Sequence, residues 1–200
     1  MRMTFDPSRL FLISLAVAAI LSLGLLAGAS QGTNQPQQLP AAKSTIMWIN
    51  PLEMRAGDPS VKLSFNAITS GVGSGLTGLI IESTTEGDTA ESGGNKVLET
   101  GLQVPPGYLI QGTRVCYETS NSRSYITQTR LSQVQTPPSS AVVRLDDATD
   151  LTEAGPVCID SQSTTVDPAD GAVFLSLRMN FGNTVDRIVI RALGLHLKIR

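Results

Sequence analysis

The chain has 200 residues, of which 41% are apolar, 16% charged and 4% aromatic, and its formal net charge is −2. That length holds one domain or a small pair, and the apolar content excludes wholesale disorder. One His and two Cys supply no material for a zinc site of His and Cys ligands, and the near-neutral charge lacks the footprint of a nucleic-acid binder.

Residues 10 to 29, LFLISLAVAAILSLGLLAGA, carry no charge and follow Arg2 and Arg9. A basic start, an apolar run and the small-x-small exit Ala27-Gly28-Ala29 read as a secretory signal cut after Ala29. The competing reading is an uncleaved signal anchor, because Leu10 to Ala27 as a helix rises roughly 27 Å, just enough for a thin bilayer. In both readings the rest of the chain leaves the cytoplasm, to be periplasmic, secreted or held at the cell surface. Residues 30 to 44 are rich in Gln and Pro with almost nothing to bury, and read as a disordered linker. Residues 45–200 remain as a single domain.

A short helical turn is expected at Asn50-Pro51-Leu52-Glu53, with Asn50 as cap, Pro51 at the first position and Glu53 completing a capping box before Gly57. Val61, Leu63, Phe65 and Ala67 alternate with polar residues, the period of a half-buried strand. Further β-rich runs lie at 46–49, 76–82, 96–104, 108–118, 124–134, 141–145 and 157–160, separated by Gly, Pro, Ser, Asn and Asp. The clearest strand is the last but one, where Val173, Leu175, Leu177, Met179 and Phe181 alternate with Phe174, Ser176, Arg178 and Asn180. No segment after residue 45 sustains a helical period. The expected fold is all-β, an antiparallel β-sandwich of jelly-roll type behind the N-terminal signal or anchor helix.

The last two strands read as a hairpin. With 182–185 as its loop, Met179 faces Ile188, Leu177 faces Ile190 and Leu175 faces Ala192. After Ala192 the apolar residues change parity to Leu195, Leu197 and Ile199, and a β-bulge at Leu193-Gly194 restores them to the core face. Arg178, Arg187, Arg191, His196 and Lys198 then form an outward basic stripe, a candidate contact surface for an anionic glycan, an envelope component or a second copy of the chain.

Cys116 and Cys158 are an even pair in an exported chain, so a structural disulfide is expected. Each alternates with apolar neighbours, which places the sulfurs on the outer face of a sheet. The only metal reading is Ca²⁺, with Asp146, Asp147, Asp150 and Asp160 as candidate ligands in an acidic run that lacks the spacing of an EF-hand loop. Asp150 and Glu153 fit a helical capping box equally well.

Gly73-Ser74-Gly75-Leu76-Thr77-Gly78 matches G-x-G-x-x-G formally, but the β-rich Leu79-Ile80-Ile81 follows where a dinucleotide site needs a helix. His196, the single His, stands in a terminal strand away from any loop, and no catalytic residue is assigned. Trp48, Tyr108, Tyr117 and Tyr125 are the only Trp and Tyr residues, and they are dispersed. The leading expectation is a non-catalytic exported module acting by surface contact, as an envelope, adhesive or assembly component. The alternative is a carbohydrate-binding module, with or without Ca²⁺. A third reading is a glycoside hydrolase or lyase using carboxylates. No nucleic-acid partner is expected, and membrane contact only through an uncleaved N-terminal segment.

Overall fold

The computed structural model describes residues 44–65, 78–135 and 140–200. The signal or anchor segment, nearly all of the linker and the glycine-rich motif up to Thr77 lie outside the described residues.

The period-two segments form two antiparallel sheets. One contains β1 (Thr45–Ile49), β3 (Val61–Phe65), β4 (Leu79–Ser83), β6 (Tyr108–Thr119), β9 (Val157–Asp160) and β11 (Ile188–Ile199). The other contains β2 (Arg55–Ala56), β5 (Val97–Leu102), β7 (Tyr125–Gln135), β8 (Ala141–Asp147) and β10 (Gly171–Asn180). The order β4-β11-β6-β9 faces β5-β10-β7-β8, which is the jelly-roll arrangement of two nested Greek keys. One buried cluster fills the space between, with Leu98, Leu131, Leu175, Leu177 and Met179 from one sheet and Ile81, Ile110, Tyr117, Ile188 and Ile190 from the other. Full burial of Leu175 and Leu177 stabilises the fold by about 1.5–3 kcal/mol each.

The expected terminal hairpin is corrected. β10 pairs with β5 and β7, whereas β11 pairs with β6, β4 and β1 in the facing sheet. Met179 is opposite Ile126 rather than Ile188, and Ile190 is opposite Leu79 and Tyr117 rather than Leu177. Alternation tells which side of a strand is apolar, and that side meets the core whether the next strand lies beside it or across from it. The crossover at 181–187 is fastened by the buried Asp186, which accepts from Ser124 Oγ at 2.6 Å and from Asn121 Nδ2. The parity switch in β11 is real, but its bulge lies at Arg191, between the pairs of Ile190 and Ala192. Beyond it Leu193, Leu195 and Leu197 point inward.

Asn50 caps a 3₁₀ turn at Pro51–Glu53 by accepting from the Leu52 N–H, and this turn ends at Met54 rather than Gly57. Asp167 caps a similar turn at Pro168–Asp170. Gly171 follows with φ 149°, where an added Cβ would stand 1.9 Å from the Val134 carbonyl oxygen. Around Asp150 and Glu153 no helix forms; Leu151 instead bridges to Ile126.

Cys116 and Cys158 are bonded and sit directly opposite each other on β6 and β9, with Cα atoms 3.9 Å apart. Val115, Tyr117, Val157 and Ile159 take the inward positions, so the bridge lies on the sheet's outer face as the alternation implies. It is compatible with export.

Candidate functional site

The outer face of the six-stranded sheet carries the most distinctive surface in the described residues. Met47 and Ile49 of β1 pack on the core, which turns Ile46 and Trp48 outward. In β11 the inward Leu193, Leu195 and Leu197 leave Gly194, His196 and Lys198 outward. Strand pairing aligns Trp48 with Gly194, Gly194 with Arg114, and Arg114 with Asp160, in one row across four strands. The next row runs Ile46, His196, Gly112.

Trp48 is the chain's single Trp and is 56% exposed. A Cβ added at Gly194 would lie 3.4 Å from both Cε3 and Cζ3 of the indole and 2.9 Å from Ile46 Cγ2. The ring therefore rests on backbone that any other residue would raise, and its remaining surface faces solvent. With no side chain at Gly194, nothing in that row separates Trp48 from Arg114, roughly 10 Å away across two strand spacings.

The polar end of the row is a fixed fork. Arg114 donates from Nε and Nη2 to the two oxygens of Asp160, each at 2.6 Å, and His196 Nε2 lies 2.7 Å from Asp160 Oδ1. Those Arg114 hydrogen bonds push the Asp160 carboxyl down to about 2; partial burial opposes them and His196 adds to them. Asp160 in turn raises the Arg114 guanidinium above its ordinary value. The carboxylate is thus ionised throughout the physiological range and locked in orientation by a bidentate guanidinium. The disulfide lies on the same face, two residues before Asp160, and ties the edge strand β9 to β6.

The expected basic stripe is divided. His196 and Lys198 stand on the Trp48 face. Arg187 pairs with Glu82 at 2.8 Å and Arg191 with the buried Glu118 at 2.8 Å, both towards the other end of β11. Arg178, on β10, belongs to the other sheet and pairs with Asp88. The four Ca²⁺ candidates are also distributed. Asp146 binds Arg130 at 3.1 Å and accepts from Gln128, while Asp160 belongs to the fork. Asp147 accepts from the Gln162 and Thr149 N–H groups, which hold it below the usual carboxylate range although burial works to raise it. Asp150 is exposed in the following loop. Among the described residues no group of three or more His, Cys, Asp or Glu side chains converges to hold a metal ion.

Sequence reading missed the Trp48–Gly194 pairing. A lone Trp in a short strand and a Gly inside a long one were its only signals, and the Gly reads locally as a bulge.

No family model matches the chain, and no curated protein matches it. Solved structures do. The chain is similar to the CBM22-1–GH10 modules of Clostridium thermocellum xylanase 10B, complexed with xylohexaose, at TM-score 0.53 and 11% identity, covering 78% of this chain and 28% of that one. The CBM22-1 xylan-binding domain of Paenibacillus barcinonensis Xyn10C gives TM-score 0.45 and 10% identity over 80% of this chain and 97% of that one. A CBM36 module in complex with calcium and xylotriose gives TM-score 0.41 and 10% identity over 76% and 98%. The chain spans little more than a quarter of the xylanase structure. At such identity the likeness is one of fold alone, a two-sheet β-sandwich. The leading expectation, a surface-contact component of envelope, adhesion or assembly, is corrected here: the xylanase modules that share this architecture are described as a CBM22-1–GH10 pair complexed with xylohexaose, which sides with the alternative reading.

Proposed function

We propose that this protein is a glycan-binding module whose binding face is the row Trp48, Gly194, Arg114, Asp160, with His196 beside it. The observation that carries the reading is the indole of Trp48, seated on a bare glycine and exposed next to an orienting charge fork. A pyranose presents an apolar C–H face and a rim of hydroxyls. The indole supplies a flat surface for the first, and Asp160, Arg114 and His196 supply acceptors and donors for the second. The roughly 10 Å between platform and fork lets one short stretch of chain engage both. The action is binding without bond cleavage, in keeping with the binding modules among the similar structures.

Export fits this function, because polysaccharides are met outside the cell. Residues 1–29 act as signal or anchor, and residues 30–44 as a spacer that lets the module reach its ligand. No cation is assigned to the binding face, since the carboxylate there is already neutralised by Arg114.

The test is retention on insoluble xylan and cellulose and in gels containing soluble polysaccharides. The native chain is retained by at least one of them. Trp48→Ala loses retention, whereas Arg178→Ala on the opposite sheet keeps it. Equal retention of Trp48→Ala and the native chain contradicts the assignment.

A further inference from the structure

Lys96 is fully buried, an unusual place for an ammonium group. Its Nζ lies 2.6 Å from the carbonyl oxygen of Thr85, 2.9 Å from that of Glu86 and 2.9 Å from that of Gly87. Three consecutive backbone carbonyls thus point at one centre, an arrangement of like-oriented dipoles that repels itself unless positive charge sits among them. An ammonium has three N–H donors and no acceptor, so three carbonyls match the protonated form. The Phe181 ring centroid is 5.6 Å away on another side. Burial works against the charge, while Asp88, Asp58 and Glu91 around it favour the charge. The loop is tied in turn to the sandwich, through the Gly87–Phe181 bridge and the Lys96 carbonyl accepting from the Met179 N–H.

We propose that the loop 84–88 is a hard-cation site whose cation is carried by the chain itself, the Lys96 ammonium occupying the centre that a Ca²⁺-like ion would otherwise fill. Hard cations take oxygen ligands, and the carbonyls of Thr85, Glu86 and Gly87 supply three of them, with water left to complete the shell. The ammonium meets these carbonyls with hydrogen bonds in place of metal–oxygen bonds, and thereby frees the β4–β5 connection from any metal supply. The inference does not depend on the glycan-binding reading.

Thermal melting of two variants separates a cation site from ordinary packing. Lys96→Ala empties the centre; Lys96→Met keeps the stem and fills the space without charge. In chelator, Lys96→Ala melts roughly 10 °C below the native chain, and millimolar Ca²⁺ returns about half of that loss. Lys96→Met is also lowered and gains nothing from Ca²⁺, and the native chain melts alike in both buffers. A Lys96→Ala variant that responds to Ca²⁺ no more than the native chain does, or stays unfolded with and without it, overturns the proposal. Reductive methylation of the native chain reads the same arrangement without a substitution. Lys96 remains unmodified while the exposed Lys62 and Lys198 are methylated, and equal modification of all three is the contrary result.

Discussion

Removing the disulfide should lower stability by an amount that the structure fixes in advance. Cys116 and Cys158 are separated by 42 positions, and closing such a loop restricts the unfolded chain by roughly 4 kcal/mol in the chain-entropy model. The two residues are direct partners in the β6–β9 pairing, so the bond also holds that register. For a domain of this size each kcal/mol moves the melting point by about 2–4 °C, so Cys116→Ala/Cys158→Ala should melt roughly 8–16 °C below the native chain. β9 is a four-residue edge strand with β6 as its sheet neighbour, and it carries Asp160. Glycan affinity of the double variant should therefore fall near its melting range and stay close to native well below it. The assay is circular dichroism melting with and without reductant, with thiol content checked by mass spectrometry. A fully reduced chain melting within about 2 °C of the oxidised one would refute the reasoning.

Asp186→Asn should cost about 1–3 kcal/mol at pH 7, since it disturbs a buried acceptor of two side-chain donors. Burial works to raise the Asp186 carboxyl, but Ser124 and Asn121 outweigh it and hold it below its ordinary value. A depressed folded value gives stability that is complete above the unfolded value near 3.9 and is lost as pH falls through the folded one. Urea titrations should accordingly show the gap between variant and native chain narrowing below about pH 4. Gly171→Ala should cost more than about 3 kcal/mol, because its Cβ meets the Val134 carbonyl, and poor yield of folded protein is the readout. Gly194→Ala should leave the melting point within about 2 °C yet weaken glycan binding roughly three- to tenfold, as its Cβ displaces Ile46 and the indole. Unaltered affinity in a folded Gly194→Ala chain would separate Trp48 from the ligand.

The strands were legible because alternation is a local property. Val173 to Phe181 shows its apolar face within nine letters, and Val115, Cys116, Tyr117 already place the sulfur outward. Partners are a different matter. The apolar sides of β10 and β11 look the same whether these strands adjoin or face each other, and only the fastening of Asp186 to the 120–124 turn reveals the crossover. The basic stripe is divided for the same reason: Arg178 shares the outward parity of Arg187, Arg191, His196 and Lys198 but stands on β10, in the other sheet. Trp48 was visible as a lone aromatic, whereas its value as a platform depends on a pairing with Gly194 at the other end of the chain. Asp160 looked like a possible metal ligand because its fork partners Arg114 and His196 come from two distant strands.

Because Trp48 is the only Trp, its fluorescence reports on the proposed face with no background from elsewhere. Titrating the native chain with xylohexaose or the best-retained oligosaccharide should shift the emission and shield the indole from acrylamide quenching. The midpoint should equal the one measured by calorimetry. Calorimetric binding with an unchanged, fully quenchable Trp48 would contradict the account, and so would the absence of binding to every polysaccharide tried.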